Sequence, residues 1–230
     1  MRYNIDEYTN LSLGLFYEFN RSSLRNEELI ESFPFNNYGI GRLQHTGMNF
    51  EFSFDTRENN YYPKEGNHIK INGSYYNELL DTRENFFRAE YDLRNYTTVN
   101  IPIETTFALR ACGGKVWGKF PFYHAMFVGG EDNLRGYTRK RFSGDTFVSF
   151  QSEIRTKVME NKIFVKGDLG LHLFAETGRV FSTNQISDKW HPSFGCGIWA
   201  NFINRMFVFS LTYAYAPDEQ NIYFDTRMVF

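Results

Sequence analysis

The stretch "DLGLHLFAE", residues 168–176, decides the fold class. Leu169, Leu171, Leu173 and Ala175 share one face of a period-two pattern, and Asp168, Gly170, His172 and Glu176 share the other. Successive side chains of a β-strand point to opposite faces, so this is a strand with one apolar face and one polar or small face. A soluble sandwich would bury the apolar face against a second sheet. A membrane barrel would turn it to lipid and leave the polar face to a wet lumen.

The same alternation recurs along the chain. Leu11, Leu13, Leu15, Tyr17 and Phe19 form one stripe, and Met48, Phe50, Phe52 and Phe54 oppose Asn49, Glu51, Ser53 and Asp55. Phe87, Ala89, Tyr91 and Leu93 oppose Arg88, Glu90, Asp92 and Arg94, while Val148, Phe150 and Ile154 oppose Ser149, Gln151, Glu153 and Arg155. The last stripe, Ile222, Phe224, Met228 and Phe230, opposes Tyr223, Asp225 and Arg227. With similar stripes at 69–75, 107–112, 194–201 and 207–215, the pattern predicts about ten strands, each near the length that crosses a bilayer at a tilt. The second face is charged or small in nearly every strand, which a dry core would not accept and a polar lumen would.

Composition fits either kind of β protein. The 230 residues carry 25 basic and 27 acidic side chains, a balance that gives no nucleic-acid surface. Aromatics reach 19%, with 25 Phe and 15 Tyr. No apolar run is long enough for a transmembrane helix. A mean hydropathy of −0.48 looks soluble, but alternation hides apolar surface from such an average. Met1 to Asn10 is polar and lacks the apolar core of a signal peptide. Cys112 and Cys196 are too few for a disulfide framework; the strand phases put the first inward and the second outward, as free thiols.

Connection lengths alternate as well. Short ones are expected near 98–102, 160–162 and 203–205, and long ones near 20–38, 114–146 and 182–190, as for short periplasmic turns and longer outer loops. An even strand count places both termini on the short-turn side. The expectation is an all-β, transmembrane, antiparallel up-and-down barrel forming a single domain over residues 1–230.

Four separated segments carry a resemblance. "FDTRENNYYPKEG" (54–66), with Asp55, Arg57, Pro63 and Gly66, looks like a turn motif between two strands. "FVGGEDNLRGY" (127–137) resembles a Gly-Gly…Arg-Gly-aromatic loop, and "SFQSEIR" (149–155) and "LFAETGRVF" (173–181) resemble the strands that follow it. In this order they are similar to the BamA-like outer-membrane barrel-assembly superfamily, over roughly residues 40–230. Phe230 looks like the terminal aromatic of outer-membrane barrel signals.

The resemblance implies that the segment 114–146 folds back into the barrel. Gly129, Gly130 and Gly136 then supply positive φ and close backbone approach. Arg135, beside Gly136 and Tyr137, presents a rigid fork of donors that needs carboxylate partners once buried. The strand phases offer Glu153 and Glu176 on the lumen face; the second stands where the family has Asp, one methylene shorter.

The resemblance further implies a place in the bacterial outer membrane, or an equivalent organelle membrane, and insertion of other barrel proteins or transport of proteins or lipids. Its partners would be outer-membrane lipids, unfolded outer-membrane proteins, barrel-assembly components, or a second copy of itself. No cofactor, metal or catalytic residue is implied. The working surface would be the seam between the first strand, around Leu11 to Phe19, and the last, around Asn221 to Phe230. Such relatives carry about sixteen strands and periplasmic polypeptide-transport-associated domains. This sequence has room for neither, which makes it a reduced member or a fragment.

Other chemistries fit less well. His172 and Glu176 lie about 13 Å apart along a strand, too far to share a metal ion. His124 with Ser143, Asp132 or Asp145 could serve a hydrolase, and a passive pore is a third class. A loop of this length would largely fill a lumen of about ten strands, against wide diffusion. No glycine-rich segment joins a strand to a helix as a phosphate loop would.

Overall fold

The computed structural model describes residues 1–22, 38–100, 102–161, 166–182, 189–203 and 205–230. Among these residues thirteen strands follow one another: β1 (Arg2–Asn4), β2 (Thr9–Ser22), β3 (Gly41–Asp55), β4 (Gly66–Tyr76), β5 (Phe86–Val99), β6 (Thr105–Trp117), β7 (Met126–Val128), β8 (Phe142–Gly144), β9 (Thr146–Asn161), β10 (Gly167–Phe181), β11 (His191–Phe202), β12 (Phe207–Tyr215) and β13 (Gln220–Asp225). All but β7 and β8 form one antiparallel sheet of 11 strands in chain order, and β7 and β8 pair with each other inside the segment joining β6 to β9.

Burial separates the two faces as the alternation requires. Along β10, Leu171 and Leu173 are 52% and 60% exposed, while His172 between them is 1% exposed. The same holds along β9, where Phe150 and Ile154 face out and Ser149, Gln151, Glu153 and Arg155 are buried. The apolar stripes therefore form the outer wall, and the polar stripes line a lumen filled by the segment between β6 and β9. Contacts across that lumen, such as Tyr62 against Trp199 at 4.7 Å between ring centres, show that the sheet curls into a barrel-like wall. Cys112 is buried and Cys196 exposed, both free.

Two features differ from the expected layout. A short strand, β1, pairs Arg2–Asn4 with Asn10–Ser12 and brings the sheet to 11 strands rather than about ten. It is too short to carry an alternation signal.

The second difference lies at the end of the chain. The final stripe was expected to run through Met228 and Phe230, yet β13 stops at Asp225 and both residues turn inward, 4% and 2% exposed. Apolar seats and two main-chain hydrogen bonds inside the lumen hold them there. The long connections expected at 20–38 and 182–190 lie largely outside the described residues. So do parts of the short ones at 98–102, 160–162 and 203–205.

Candidate functional site: the lumen segment and its anchors

Arg135 sits between the two carboxylates that the strand phases single out. Its Nε donates to Glu176 Oε1 at 2.7 Å, its backbone N–H donates to Glu176 Oε2 at 2.7 Å, and its Nη1 lies 2.8 Å from Glu153 Oε2. The guanidinium lies over the Phe174 ring, 3.6 Å from its centre. Arg135 Nη2 and Glu153 Oε2 have no hydrogen bond, so the Glu153 contact is an ion pair at a poor angle, and Glu176 is the better-formed partner. Ser193 donates its hydroxyl to the Arg135 carbonyl.

Glu153 is also shared with Arg155, whose Nε donates to Glu153 Oε1 at 2.7 Å. Two guanidiniums and two carboxylates thus balance in a space that excludes solvent, which an isolated charge could not tolerate. Gln151 extends the network from Glu176 (3.3 Å) to Arg110 (3.0 Å), and Arg110 pairs with Asp92. The strand periodicity produces this lattice, because every second residue of β9 and β10 points at the same volume.

The rest of the loop motif is held through its backbone. Gly136, at φ +93°, donates to the Tyr223 hydroxyl at 3.2 Å and accepts from Asn221 Nδ2 at 2.7 Å. A Cβ there would stand 3.2 Å from Ser193 Oγ and from the Tyr215 carbonyl carbon. Gly130, at φ +96°, donates to the carbonyls of Leu134 and Tyr137, and Gly129, at φ +122°, donates to Asn133 Oδ1. Tyr137 is buried edge-on to Phe142 and His191. Thr138 donates its N–H and hydroxyl to Glu219 at 2.6 and 2.7 Å, and Arg141 pairs with the same carboxylate at 2.8 Å. Burial works against the charged form of Glu219, but these donors hold its carboxyl below the usual range.

A second anchor lies at the start of the segment, at residues that carry no motif. Tyr76 and Phe86 stack at 4.1 Å, and His124 packs on them at 4.6 and 5.2 Å. His45 bridges Thr82 (2.8 Å) and the Tyr123 hydroxyl (2.6 Å), and the Phe122 N–H donates to the Tyr38 carbonyl at 3.0 Å. Burial pushes His124 down to about 3, so it is a neutral ring here. Its Nε2, 3.5 Å from Glu18, has no hydrogen bond, and its surroundings are aromatic rings rather than a nucleophile. His172, raised as a metal candidate, contacts Thr212 at 3.1 Å.

At the opposite mouth, the turn 56–65 is ordered by its own side chains. Asp55 pairs with Arg57 at 2.7 Å, and Asn59 accepts from the backbones of Tyr61 and Tyr62. Glu58 accepts from Lys64 and Glu65 N–H groups and from Arg205. Pro63 is buried in this turn, and Gly66, at φ +107°, lies where a Cβ would be 2.5 Å from the Thr56 carbonyl oxygen. Tyr62 packs inward on Trp199, Val208 and Met228, beside the inturned Phe230. Arg155 donates to the Phe230 carbonyl, so Phe230 sits in the lumen and not on the lipid face of a last strand.

Arg155, Ser193, Glu219, Asn221 and Tyr223 were not singled out from sequence. Arg155 and Tyr223 do stand on the polar stripes, so the periodicity held a signal for them. Ser193 stands on β11 ahead of the stretch in which its alternation is legible, and Glu219 lies in the turn before β13, whose path the alternation cannot give.

No curated protein matches the chain. Among solved structures it is similar to BamA from Haemophilus ducreyi lacking POTRA domains 1-3, at 16% identity and a TM-score of 0.70. The match covers 97% of this chain and 51% of that one, so the chain spans about half the length of that structure. The Omp85 superfamily domain model matches residues 1–226. The chain therefore belongs to the Omp85 superfamily.

Proposed function

We propose that this chain acts as a single barrel domain in the outer membrane and assists the insertion of other outer-membrane proteins, or their translocation, through the edges of its sheet. One observation carries the reading: among the described residues, no ladder joins the first strands of the 11-stranded sheet to the last. The outer half of β2 and the free side of β13 then offer main-chain donors and acceptors to an incoming strand. The segment anchored by Arg135 serves as a lumen lock that keeps both walls in place while the edge is used. A lumen filled in this way argues against a passive pore.

The edge should accept partners without covalent chemistry: unfolded barrel proteins, other assembly components, or a second copy, with lipid against the outer wall. The test is reconstitution into liposomes. The chain should accelerate folding of a second, urea-unfolded barrel protein, read by its heat-modifiable gel migration. A disulfide between Leu15→Cys on β2 and Ile222→Cys on β13, once formed, should abolish the acceleration, and reduction should restore it. Steady conductance without acceleration would reverse the reading in favour of a pore. Dimers that form while folding is not accelerated would assign the edge to self-association.

A further inference from the structure

We infer that the outer wall carries a site for one anionic phospholipid, its phosphate at Lys115 and Arg179 and an acyl chain in a groove across β5, β6, β9 and β10. The inference rests on the outer-membrane placement proposed above and is independent of the strand-edge reading.

The groove is a product of register. Leu93, Ala111, Phe150 and Thr177 stand opposite one another in one row across the strands. Asn95, Leu109, Ser152 and Ala175 form the next row. Directly opposed residues share a face, and the exposed Leu93, Leu109 and Phe150 set that face outward. Where Ala111, Ser152 and Ala175 stand in place of large side chains the wall sinks, and the two rows line a groove of about 860 Å³. The Ser152 hydroxyl donates to the Ala175 carbonyl at 3.0 Å, so the floor presents hydrocarbon. Phe107, Ile154 and Leu173 form the turn-side bank. Tyr91 forms the loop-side bank, lying over Gly113, where a Cβ would stand 2.7 Å from its hydroxyl oxygen.

The two ends of the groove differ in charge. At β4 the second row begins with Asn67, beside the turn-side end of that strand, and Asn95 Nδ2 donates to Asn67 Oδ1 at 2.8 Å. At β10 the row has climbed to Ala175, nearer the loop-side end at Phe181 than the turn-side end at Gly167. Arg179 stands at the next outward position after Thr177, opposite Val148, and Lys115 stands opposite Thr146. The Arg179 guanidinium lies 4.4 Å from the Phe181 ring centre and the Lys115 ammonium 5.6 Å from that of Trp117. Both heads therefore reach toward the loop-side rim with their stems along the wall, as cations do at a membrane interface. Strands β6 and β10 flank β9, so the two backbones are about 10 Å apart, a span that two long side chains close around one phosphate. Asp145 adjoins this row and accepts from the Thr146 hydroxyl at 2.9 Å. A cationic end joined to an uncharged groove matches an anionic head with a long acyl chain. An extended peptide is a poorer match, because all four strands are interior to the sheet and already paired on both sides.

The probe is native mass spectrometry of the detergent-solubilised chain with dioleoyl phosphatidylglycerol or, with the same chains and no net charge, dioleoyl phosphatidylcholine. The unaltered chain should hold one phosphatidylglycerol about tenfold more tightly than phosphatidylcholine. Lys115→Gln with Arg179→Gln should abolish that preference, and Ala111→Phe with Ala175→Phe should weaken both lipids. Lys119→Gln, an exposed cation of the same rim paired with Glu84, should change neither. Heat-modifiable migration confirms that each variant is folded. A diazirine on the acyl chain of phosphatidylglycerol should cross-link to segments containing Ala111, Ser152 or Ala175. Equal retention of the two lipids by the unaltered chain, or a preference that survives loss of both cations, would overturn the site. Dimers that the Phe variant abolishes while lipid retention stays the same would assign the groove to a second copy. Failure to float with liposomes would remove the membrane placement itself, whereas flotation with indiscriminate lipid retention would remove only the site.

Discussion

Residues 120–125 and residues 129–141 belong to one inserted segment and share one lumen, yet they are fastened differently. The first arm rests on rings and neutral hydrogen bonds: Tyr76, Phe86 and His124 in a stack, with His45 between Thr82 and Tyr123. The second arm rests on the Arg135 ion pairs and on main-chain bonds at Gly136 and Thr138. The walls explain the difference. Strands β9 and β10 present Gln151, Glu153, Arg155 and Glu176 inward, and burying those groups requires a cation to complete the balance. Strands β3 to β5 present His45, Tyr76 and Phe86, which rings can cover without charge.

The largest expected effect separates charge from packing. Arg135→Ala takes the cation from Glu176 and leaves Glu153 with Arg155 alone; breaking a buried pair costs about 3–5 kcal/mol. Thermal stability should fall, and protease sites within 129–141 should open while 120–125 stays protected. Arg139→Ala, an exposed residue of the same arm, should stay within about 0.5 kcal/mol. Equal behaviour of the two variants would dissolve the distinction between the arms.

The converse test is Phe86→Ala, which removes a ring from the first arm's stack. Deleting a buried Phe side chain costs about 3 kcal/mol or more, and Tyr76 and His124 can close part of the gap. Proteolysis should now appear near 120–125 and spare the Arg135 region. Opening of both arms together would show that they form one cooperative unit.

The smallest effect concerns the rim. Arg141 is about half exposed, so Glu219→Gln should cost about 0–1 kcal/mol, and less in high salt. Because Glu219 is held below its ordinary range, its contribution is present above the unfolded carboxyl value. It is lost as pH falls through the lower folded value. Stability measured from pH 7 downward should show this step in the unaltered chain and not in Glu219→Gln. An unchanged acid limb would assign the step elsewhere.

These differences also explain what could be read from sequence. Alternation in β9 and β10 reports which face is polar, and so it pairs Arg135 with Glu153 and Glu176 once the loop is turned inward. The first arm leaves no such trace, because Tyr76, Phe86, His45 and Tyr123 are ordinary aromatic residues until curvature brings β3, β4 and β5 around the segment. Phe230 shows the reverse case. Its stripe is genuine, but a period-two pattern gives the facing of a side chain only while the chain remains a strand, and β13 ends five residues earlier. The same limit hid β1, since three residues cannot establish a period.

The arms look in opposite directions along the chain. Glu18, Tyr38, His45, Tyr76 and Phe86 precede the inserted segment, whereas Glu153, Glu176, Ser193, Glu219, Asn221 and Tyr223 follow it, with Arg110 to the Asp132 carbonyl as an exception. As the barrel folds, the first arm can dock once β2 to β5 have paired. Arg135 must wait for a partner 41 residues further on, and Gly136 for one 87 residues further on. Contacts of that separation form late, since closing the intervening loops comes before the reward. Docking of the second arm thus becomes a clock for folding: protease resistance at 129–141 marks the moment the final strand arrives, long after the first arm is in place.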